Sequence, residues 1–242
     1  NQVKFWGQVL NLHSILLSTF VLLCGNNLLY GASTGASFLK IGVGAKPIGM
    51  GSAYAAVSND VTAINWNPAG LTQLTKSEFS AMHSQWIVDT NLDFAGIAIP
   101  TKHAVLGTSV IYLSQGDLEG RNDSGQRTGS FGASDLAVTM SYSRKLNSVL
   151  SSGINVKFIK QQIENESAIG LAMDVGLLTR LPIRSLPLSA GIAVQNIGPQ
   201  MRFIKEGYNL PLAVSAGLGY NLGAMLIALD IKQQVYEGRT SI

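Results

Sequence analysis

Apolar residues alternate with polar or small residues over most of this chain, from about Ser77 onward. The pattern is unbroken in Ala133–Arg144, Gly153–Phe158 and Gly170–Arg180. Alternation with a period of two is typical of β-strands that have one apolar face. About nine such strands fit before a tenth begins near Glu237. We therefore predict an all-β fold built from antiparallel strands.

The length of the strands separates two ways of burying one strand face. Strands of soluble sandwiches run to about 5–6 residues, whereas strands that cross a membrane need about 9–11. Ten residues or more alternate in His103–Ser114, Ser134–Arg144 and Pro211–Leu222. Charged residues make up 13% of the 242 residues, too few for the charged surface that keeps a sandwich soluble. The pattern predicts a transmembrane antiparallel β-barrel of the outer-membrane type.

The connections between the predicted strands alternate in length. The short ones are Pro100–His103, Lys145–Ser148, Leu181–Pro187 and Asn221–Ala224. The longer, more polar ones are Gln115–Gly129, Gln162–Ser167 and Gly198–Asn209. Outer-membrane barrels have short periplasmic turns and longer extracellular loops. We therefore expect the first strand to rise from the periplasm.

The first 32 residues read as a secretory signal peptide. Their apolar run, Ile15–Cys24, is too short to span a bilayer, with Lys4 upstream and small residues downstream. A buried core helix is the alternative. We expect export and residence in the outer membrane of a Gram-negative-type bacterium, with membrane lipid as a partner. Cys24 is the single cysteine, which excludes a disulfide framework.

The residues that could carry chemistry or bind nucleic acid do not form a recognisable site. The net charge is +3 and no basic stripe occurs, which argues against nucleic acid. Met50 stands where a phosphate-binding loop starting at Gly44 would need lysine, and the acidic Gly116–Gly125 lacks the order of a calcium loop. We predict no catalytic, cofactor-binding or metal-binding residues, and no enzyme.

Charged and amide side chains occur on the polar face of the predicted strands. A charge facing lipid costs about 2–4 kcal/mol near the bilayer centre, so these side chains are expected to face the lumen. They are Asn155, Lys157, Asp174, Arg180, Gln195, Asp230 and Lys232. A network that steadies a plug and a path for a substrate are both compatible with this set.

A block before the first strand carries a family resemblance. It comprises Phe38–Ala45, the run Gly49–Val57, Asp60 and the run Asn65–Leu71, which reads NWNPAGL. This block resembles the PorV/PorQ family, which is related to FadL-type outer-membrane transporters. The residues taken as its plug and turn motif are Gly49, Gly51, Asp60, Trp66, Asn67, Pro68 and Gly70.

The resemblance implies a barrel of about fourteen strands with the amino-terminal segment inside it. We accordingly expect a signal peptide at 1–32, a plug at 33–76 and a barrel at 77–242 that is incomplete at its carboxy-terminal end, because lipid does not tolerate open sheet edges. A genuine ten-stranded barrel is the alternative.

Within the plug, Asn59 or Asp60 is expected to cap a short helix over Val61–Trp66. Asn67-Pro68-Ala69-Gly70 should then turn the chain into the first strand. The plug is expected to lie within or across the periplasmic mouth, where Trp66 anchors it. Its small residues, Gly49, Gly51, Ser52, Ala53, Ala55 and Ala56, should fit closely against the wall.

Three functions remain open from the sequence. The PorV/PorQ resemblance implies a role in type IX protein secretion and surface attachment, with secretion components and exported proteins as partners. A FadL-like channel for small hydrophobic molecules is the alternative, and a purely structural barrel is the third. None of the three needs a catalytic group, so the residues alone do not choose between them.

Overall fold

The computed structural model describes residues 34–86, 89–122, 124–181, 187–203 and 205–242. The predicted signal peptide lies outside these residues. Ten strands form one antiparallel sheet, in which each strand pairs with the next along the chain apart from a small two-stranded hairpin inserted after the seventh. The strands are β1 (Glu78–Gln85), β2 (Thr90–Pro100), β3 (Val105–Arg121), β4 (Arg127–Lys145), β5 (Leu150–Ile163), β6 (Glu166–Arg180), β7 (Leu188–Ile197), β8 (Met201–Phe203), β9 (Glu206–Tyr208), β10 (Ala213–Asn221), β11 (Leu226–Gln234) and β12 (Arg239–Ser241). The predicted fold class, an all-β antiparallel sheet of the outer-membrane barrel type, is confirmed.

The two faces of the sheet have opposite environments. On β6, Ala172 and Asp174 are buried beneath the amino-terminal segment, whereas Leu171 and Met173 are 57% and 46% exposed. The same alternation continues on β5, where Asn155 is buried and Val156 exposed. We call the buried side the inner face and the other the outer face. Most side chains of the outer face are apolar although they are exposed, and the His83–Asp93 pair of β1 and β2 is an exception.

The short turns join the strands at one end of the sheet. Residues 101–104, 146–149 and 222–225 make these turns, close to the predicted positions. The expected long loops at Gln115–Gly129 and Gln162–Ser167 are wrong in length. β3 runs to Arg121 before β4 begins at Arg127, and β5 and β6 are separated by a two-residue turn. Pairing continues because strand hydrogen bonds join backbone groups and do not require apolar side chains.

Residues 34–76, here called the amino-terminal segment, form short helices. They are the 3-10 helix η1 (Ser37–Lys40), the α-helix α1 (Ala45–Gly49) and the 3-10 helices η2 (Val61–Asn65) and η3 (Pro68–Gln73). The Asp60 carboxylate accepts a hydrogen bond from the backbone N–H of Thr62 at 2.9 Å and caps η2, as such side chains do.

The expected turn at Asn67-Pro68-Ala69-Gly70 is wrong in form. Asn67 caps η3 by accepting a hydrogen bond from the N–H of Ala69 at 3.1 Å, and Pro68 occupies the first position of that helix. Proline is favoured there because its missing N–H would have no partner within the helix. The chain therefore continues through η3 before β1 begins at Glu78.

The amino-terminal segment runs along the full height of the inner face. Near its start, the N–H of Gly35 donates to the carbonyl of Asn209 at 2.9 Å, at the end of the sheet opposite the short turns. Near its end, the carbonyl of Pro68 accepts from the Ser143 hydroxyl at 2.6 Å, beside a short turn. The segment thus extends from the end with the short turns, where the sequence predicts it, to the opposite end of the sheet.

Apolar side chains of the segment and of the wall form the core. Phe38 packs with Leu92, Phe94 and Ile159 toward the long-loop end. Val61, Ile64, Leu71, Ala98 and Val105 form a second cluster nearer the short turns. Both clusters join segment residues to strand residues, so burial of the segment is what gives this sheet an apolar core.

Glycines of the wall, paired across neighbouring strands, allow the segment to approach closely. Gly153 lies opposite Gly176, and Gly191 lies opposite Gly217. A Cβ atom on Gly176 would come within 2.1 Å of the Asn67 Oδ1 atom, and one on Gly191 within 2.0 Å of the carbonyl oxygen of Ala55. A residue with a side chain therefore does not fit at either position unless the segment moves away from the sheet.

The segment's own Gly49 and Gly51 do not make the close fit expected of them. Both are exposed, and a Cβ atom on either would meet nothing within 4 Å. Gly51 instead takes a positive φ of 66°, a conformation that glycine adopts without steric cost. The close approach is made by Ala55 and Ala56, which are buried.

Gly191→Ala is expected to lower the free energy of unfolding by about 1–3 kcal/mol, because overpacked sites cost about that much. Gly132→Ala, on β4, is the matched control, since a Cβ atom there meets nothing within 4 Å. Urea unfolding in detergent measures both. Equal stability of the two variants would show that the backbone of Ala55 does not rest on Gly191.

Candidate functional site

A buried ion pair lies at the centre of the inner face. Lys157 on β5 and Asp174 on β6 are 2.9 Å apart, Nζ to Oδ2, and their side chains are 5% and 0% exposed. The Asn155 amide donates to the same Oδ2 atom at 2.7 Å. A buried charge is costly unless it is paired and hydrogen-bonded, and here both partners are.

Asn196 completes this cluster, and the sequence reasoning missed it. Its backbone N–H donates to Asp174 Oδ1 at 2.8 Å, and its side-chain oxygen accepts from Lys157 Nζ at 2.9 Å. It has a positive φ of 61° at an irregularity in the pairing of β6 with β7. Such bulges redirect a side chain. The signal in the sequence is the polar pair Gln195-Asn196, which breaks the alternation of β7.

The cluster bonds directly to the backbone of the amino-terminal segment. Asn155 Nδ2 donates to the carbonyl of Ile64 at 2.7 Å, and Gln195 Nε2 donates to the carbonyl of Asn65 at 2.8 Å. These carbonyls lie at the end of η2, where carbonyl groups lack partners within the helix. The inner-face amides thus fix the position of η2.

Asp230 on β11 also fixes the position of the segment, at Tyr54 and Ala55. Its Oδ2 atom accepts from the backbone N–H groups of Tyr54 and Ala55 at 2.8 and 2.7 Å. Lys232, two residues further along β11, places its ammonium 5.9 Å from the centre of the Trp66 ring. Both strand residues therefore face the segment.

Arg180 stands apart from the other polar residues predicted to face the lumen. It is the last residue of β6 and is exposed. Its position is at the rim of the sheet, where its side chain reaches solvent. Strand parity alone does not distinguish a rim position from a buried one, which is why the sequence grouped it with Asp174.

Three motif residues, Trp66, Asn67 and Gly70, contact other parts of the segment, and Asn67 also reaches the wall. Asn67 is fully buried and its amide donates to the carbonyls of Ala55 and Leu177 at 2.7 and 3.0 Å. Trp66 Nε1 donates to the carbonyl of Val43 at 3.0 Å. Gly70 lies against Ser58, and its Cβ would fall 2.2 Å from the hydroxyl oxygen. These residues hold the fold of the segment.

Tyr54 and Asp60 form a further contact within the segment. The Tyr54 hydroxyl donates to Asp60 Oδ2 at 2.7 Å. Burial, and then the hydrogen bond and negative charge of Asp60, raise the pKa of Tyr54. The phenol therefore stays protonated and keeps donating this hydrogen bond.

An ion pair and a hydrogen bond join the start of the segment to Glu237. Glu237, between β11 and β12, accepts from Lys40 Nζ and from the Thr34 hydroxyl, each at 2.6 Å. These two hydrogen bonds lower the pKa of the Glu237 carboxyl. Its stabilising contribution is therefore present at neutral pH and is lost as the pH falls through that lowered pKa.

An open cavity of about 800 Å³ lies at the long-loop end of the inner face. Its apolar lining is Phe38, Ile41, Leu113, Ile163 and Phe203. Gln161 lies in its wall, where its amide donates to Asp135 Oδ1 at 2.8 Å and accepts from the N–H of Ala36 at 2.9 Å. We call this cavity the outer cup. Its size and lining are those of a site for a small, largely apolar molecule.

The described part of the chain has neither a candidate metal site nor a candidate membrane-spanning helix. There, no group of three or more His, Cys, Asp or Glu side chains is placed to hold a metal ion. Over the same residues, no helix has both the length and the apolar character needed to cross a bilayer.

The fold and interior together define a barrel-type β-sheet whose inner face is covered by its own amino-terminal segment. The chain belongs to the uncharacterised protein family UPF0164, whose model matches residues 31–202. No curated protein matches it. Among solved structures, it is similar to the toluene transporter TodX of Pseudomonas putida, with a TM-score of 0.49 and 14% sequence identity over 70% of this chain and 64% of TodX. Membership of the PorV/PorQ family stays a prediction.

Asp174→Asn should destabilise the protein by about 3–5 kcal/mol, because it leaves Lys157 buried without its counter-charge. The double variant Lys157→Met/Asp174→Asn should lose less than the two single variants added together. Lys40→Met, which breaks the partly exposed pair with Glu237, is the control and should cost about 1 kcal/mol or less. Additive losses in urea unfolding would show that Lys157 and Asp174 do not interact.

Proposed function

We propose that this chain forms part of an outer-membrane β-barrel that holds a small apolar molecule in the outer cup. The observation that supports a membrane location is the outer face. Large apolar side chains are exposed there on strand after strand, among them Phe79, Met140, Val156, Ile169, Leu171, Leu218 and Leu229. Soluble proteins rarely expose apolar patches of more than a few hundred Å².

The inner face supports a further part of the proposal, that the amino-terminal segment is a plug. Side chains on β4, β5, β7 and β11 bond to its backbone, and its Asn67 amide donates to the Leu177 carbonyl on β6. Wall glycines lie directly beneath Ala55, Asn67 and Pro68. Such a segment blocks free diffusion along the interior. Passage of a molecule from the outer cup to the other end then requires part of the segment to move.

The outer cup is the proposed binding site. Phe38 and Ile41 of the plug line it together with wall residues Leu113 and Ile163, so a bound molecule would touch both. Because plug and wall both line the outer cup, a bound molecule contacts the plug directly, and its binding can change the position of the plug. Asp135 supplies a carboxylate to a ligand that carries a hydrogen-bond donor.

The second candidate is the function implied by the PorV/PorQ resemblance, capture of exported proteins at the cell surface. The observation that favours it is a projecting hairpin, residues 117–131. Beyond Gln115 the β3 strand has no partner on β2, and before Ala133 the β4 strand has none on β5. Glu119 forms ion pairs with Arg121 on its own strand and with Arg127 on the facing strand. An exposed, charged hairpin is a suitable docking element.

The membrane location is tested with single cysteines in a Cys24→Ser background. Val156→Cys and Met173→Cys should react slowly with a hydrophilic maleimide in isolated outer membranes, because lipid covers the outer face. Gln126→Cys, in the exposed tip between β3 and β4, is the matched control and should react fast. Fast reaction at all three positions, together with release by carbonate, would refute the membrane location.

Binding in the outer cup is tested with N-phenyl-1-naphthylamine, whose fluorescence rises in apolar surroundings. The full chain in nanodiscs should bind it above the level of empty nanodiscs. Ile163→Glu should weaken that binding by about tenfold, because it places a charge against an apolar ligand. Gln162→Glu, the adjacent residue, is the charge-matched control and should bind as the wild type does.

Removal of the projecting hairpin distinguishes the two functions. A variant in which a two-residue turn replaces residues 117–131 should retain binding of the fluorescent probe if the outer cup is the functional site. If the probe never binds above background while the shortened variant fails to retain exported proteins at the cell surface, the docking function replaces our proposal.

A further inference from the structure

Among the described lining residues of the outer cup, the strands of the wall contribute one charged side chain, Asp135 on β4. The other charged lining residues, Lys205 and Glu206, are neighbours at the tip of the hairpin formed by β8 and β9, and both are exposed. Their opposite charges cancel, so Asp135 leaves this lining with a net negative charge. Any electrostatic preference of the outer cup therefore depends on Asp135.

Asp135 is half-buried and lies next to apolar side chains. It stands directly opposite Leu113 on β3 and Gln161 on β5. Two positions nearer the short turns, Ala137 continues the same face of β4 opposite Ile159, and both of these residues are buried. A carboxylate that is partly shielded from water interacts more strongly with a nearby charge than a fully exposed one does. Asp135 is therefore well placed to discriminate between ligands of different charge.

Gln161 fixes the orientation of this carboxylate. The backbone N–H of Ala36 donates to Gln161 Oε1 at 2.9 Å, so the amide turns its NH₂ group to Asp135 and donates to Oδ1 at 2.8 Å. The Oδ2 atom of Asp135 has no hydrogen bond to any residue that the structure describes, yet it is not buried without a partner, so solvent reaches it. Oδ2 is thus an open acceptor in the wall of the outer cup.

Apolar side chains of the plug, the wall and the β8–β9 hairpin line the same cavity. They are Phe38, Ile41, Leu113, Ile163 and Phe203. Sites for small molecules commonly combine a mainly apolar lining with a few polar groups that fix the orientation of the ligand. A molecule whose polar end reaches Asp135 therefore finds apolar contacts for the rest of its structure.

Three simple head groups differ in how well they suit this arrangement. A carboxylate would bring a second negative charge toward Asp135 and would be repelled. A hydroxyl group can donate a hydrogen bond to Oδ2, but it leaves the charge of Asp135 uncompensated. A protonated amine donates the hydrogen bond and compensates the charge, and such charge-assisted hydrogen bonds are about twice as strong as neutral ones. The arrangement therefore favours the amine.

We propose that the outer cup selects small amphiphilic amines, which place their ammonium group against Asp135 Oδ2 and their apolar part among the apolar side chains of the lining. This inference rests on the proposed function of the outer cup and names the class of ligand that the cup prefers. Asp135 is then the residue that determines charge specificity, and Gln161 positions its carboxylate.

The test compares octylamine, octanol and octanoate, which share one alkyl chain, as competitors of N-phenyl-1-naphthylamine on the full chain in nanodiscs of zwitterionic lipid. Octylamine should displace the probe at a concentration about tenfold lower than octanol, and octanoate should be the weakest competitor. Asp135→Asn keeps an acceptor for Gln161 but removes the charge, so it should reduce the difference between octylamine and octanol to about twofold or less. Glu166→Gln, at the exposed start of β6 and outside the lining of the cup, is the charge-matched control and should retain the preference.

The amine preference is refuted if octanoate displaces the probe from the wild type as readily as octylamine does, or if Asp135→Asn retains the full preference. In both cases a probe that still binds leaves the outer cup as a binding site, so the proposed function survives. If the probe does not bind above the level of empty nanodiscs, the proposed function fails and the amine preference fails with it. The comparison of the three competitors on the wild type decides the question even if Asp135→Asn does not fold.

Discussion

Close packing of the amino-terminal segment's backbone against the inner face of the sheet is the constraint on which the rest of the structure depends. Gly153 and Gly176 let Asn67 and Pro68 lie against the sheet, and Gly191 does the same for Ala55. At this distance, side chains of the sheet reach carbonyl and N–H groups of the segment, which would otherwise be buried without partners. The buried ion pair, the polar contacts and the apolar core all require that close approach.

The fold was predictable from the sequence because its signal is local. Alternation over ten or more residues indicates membrane-length strands, and the same alternation places Asn155, Lys157 and Asp174 on one face, where the structure has all three buried. A capping carboxylate followed by a short helix is also a local signal, and Asp60 and η2 illustrate it. Each of these inferences needs no knowledge of which residues meet across the sheet.

The remainder could not be predicted because it depends on register between strands. The role of the wall glycines follows from pairs such as Gly153 with Gly176, which are 23 positions apart in the sequence. The side chain of Asn196 points inward because the pairing of β6 with β7 has a register shift there. Gly49 and Gly51 are small enough for the close fit that the sequence predicts, yet a Cβ atom on either would meet nothing within 4 Å.

The order in which the chain can assemble follows from where the partners of the amino-terminal segment lie. Pro68 bonds to Ser143, Asn67 to Leu177, and Tyr54 to Asp230, so the segment has to wait for strands that are made much later. Contacts between distant positions form slowly, because closing a long loop costs entropy before the contact compensates for it. The amino-terminal segment is therefore synthesised before the strands that it contacts and is among the last parts to reach its native surroundings. Until then its apolar residues need protection, and a factor that escorts the unfolded chain would have to shield this segment.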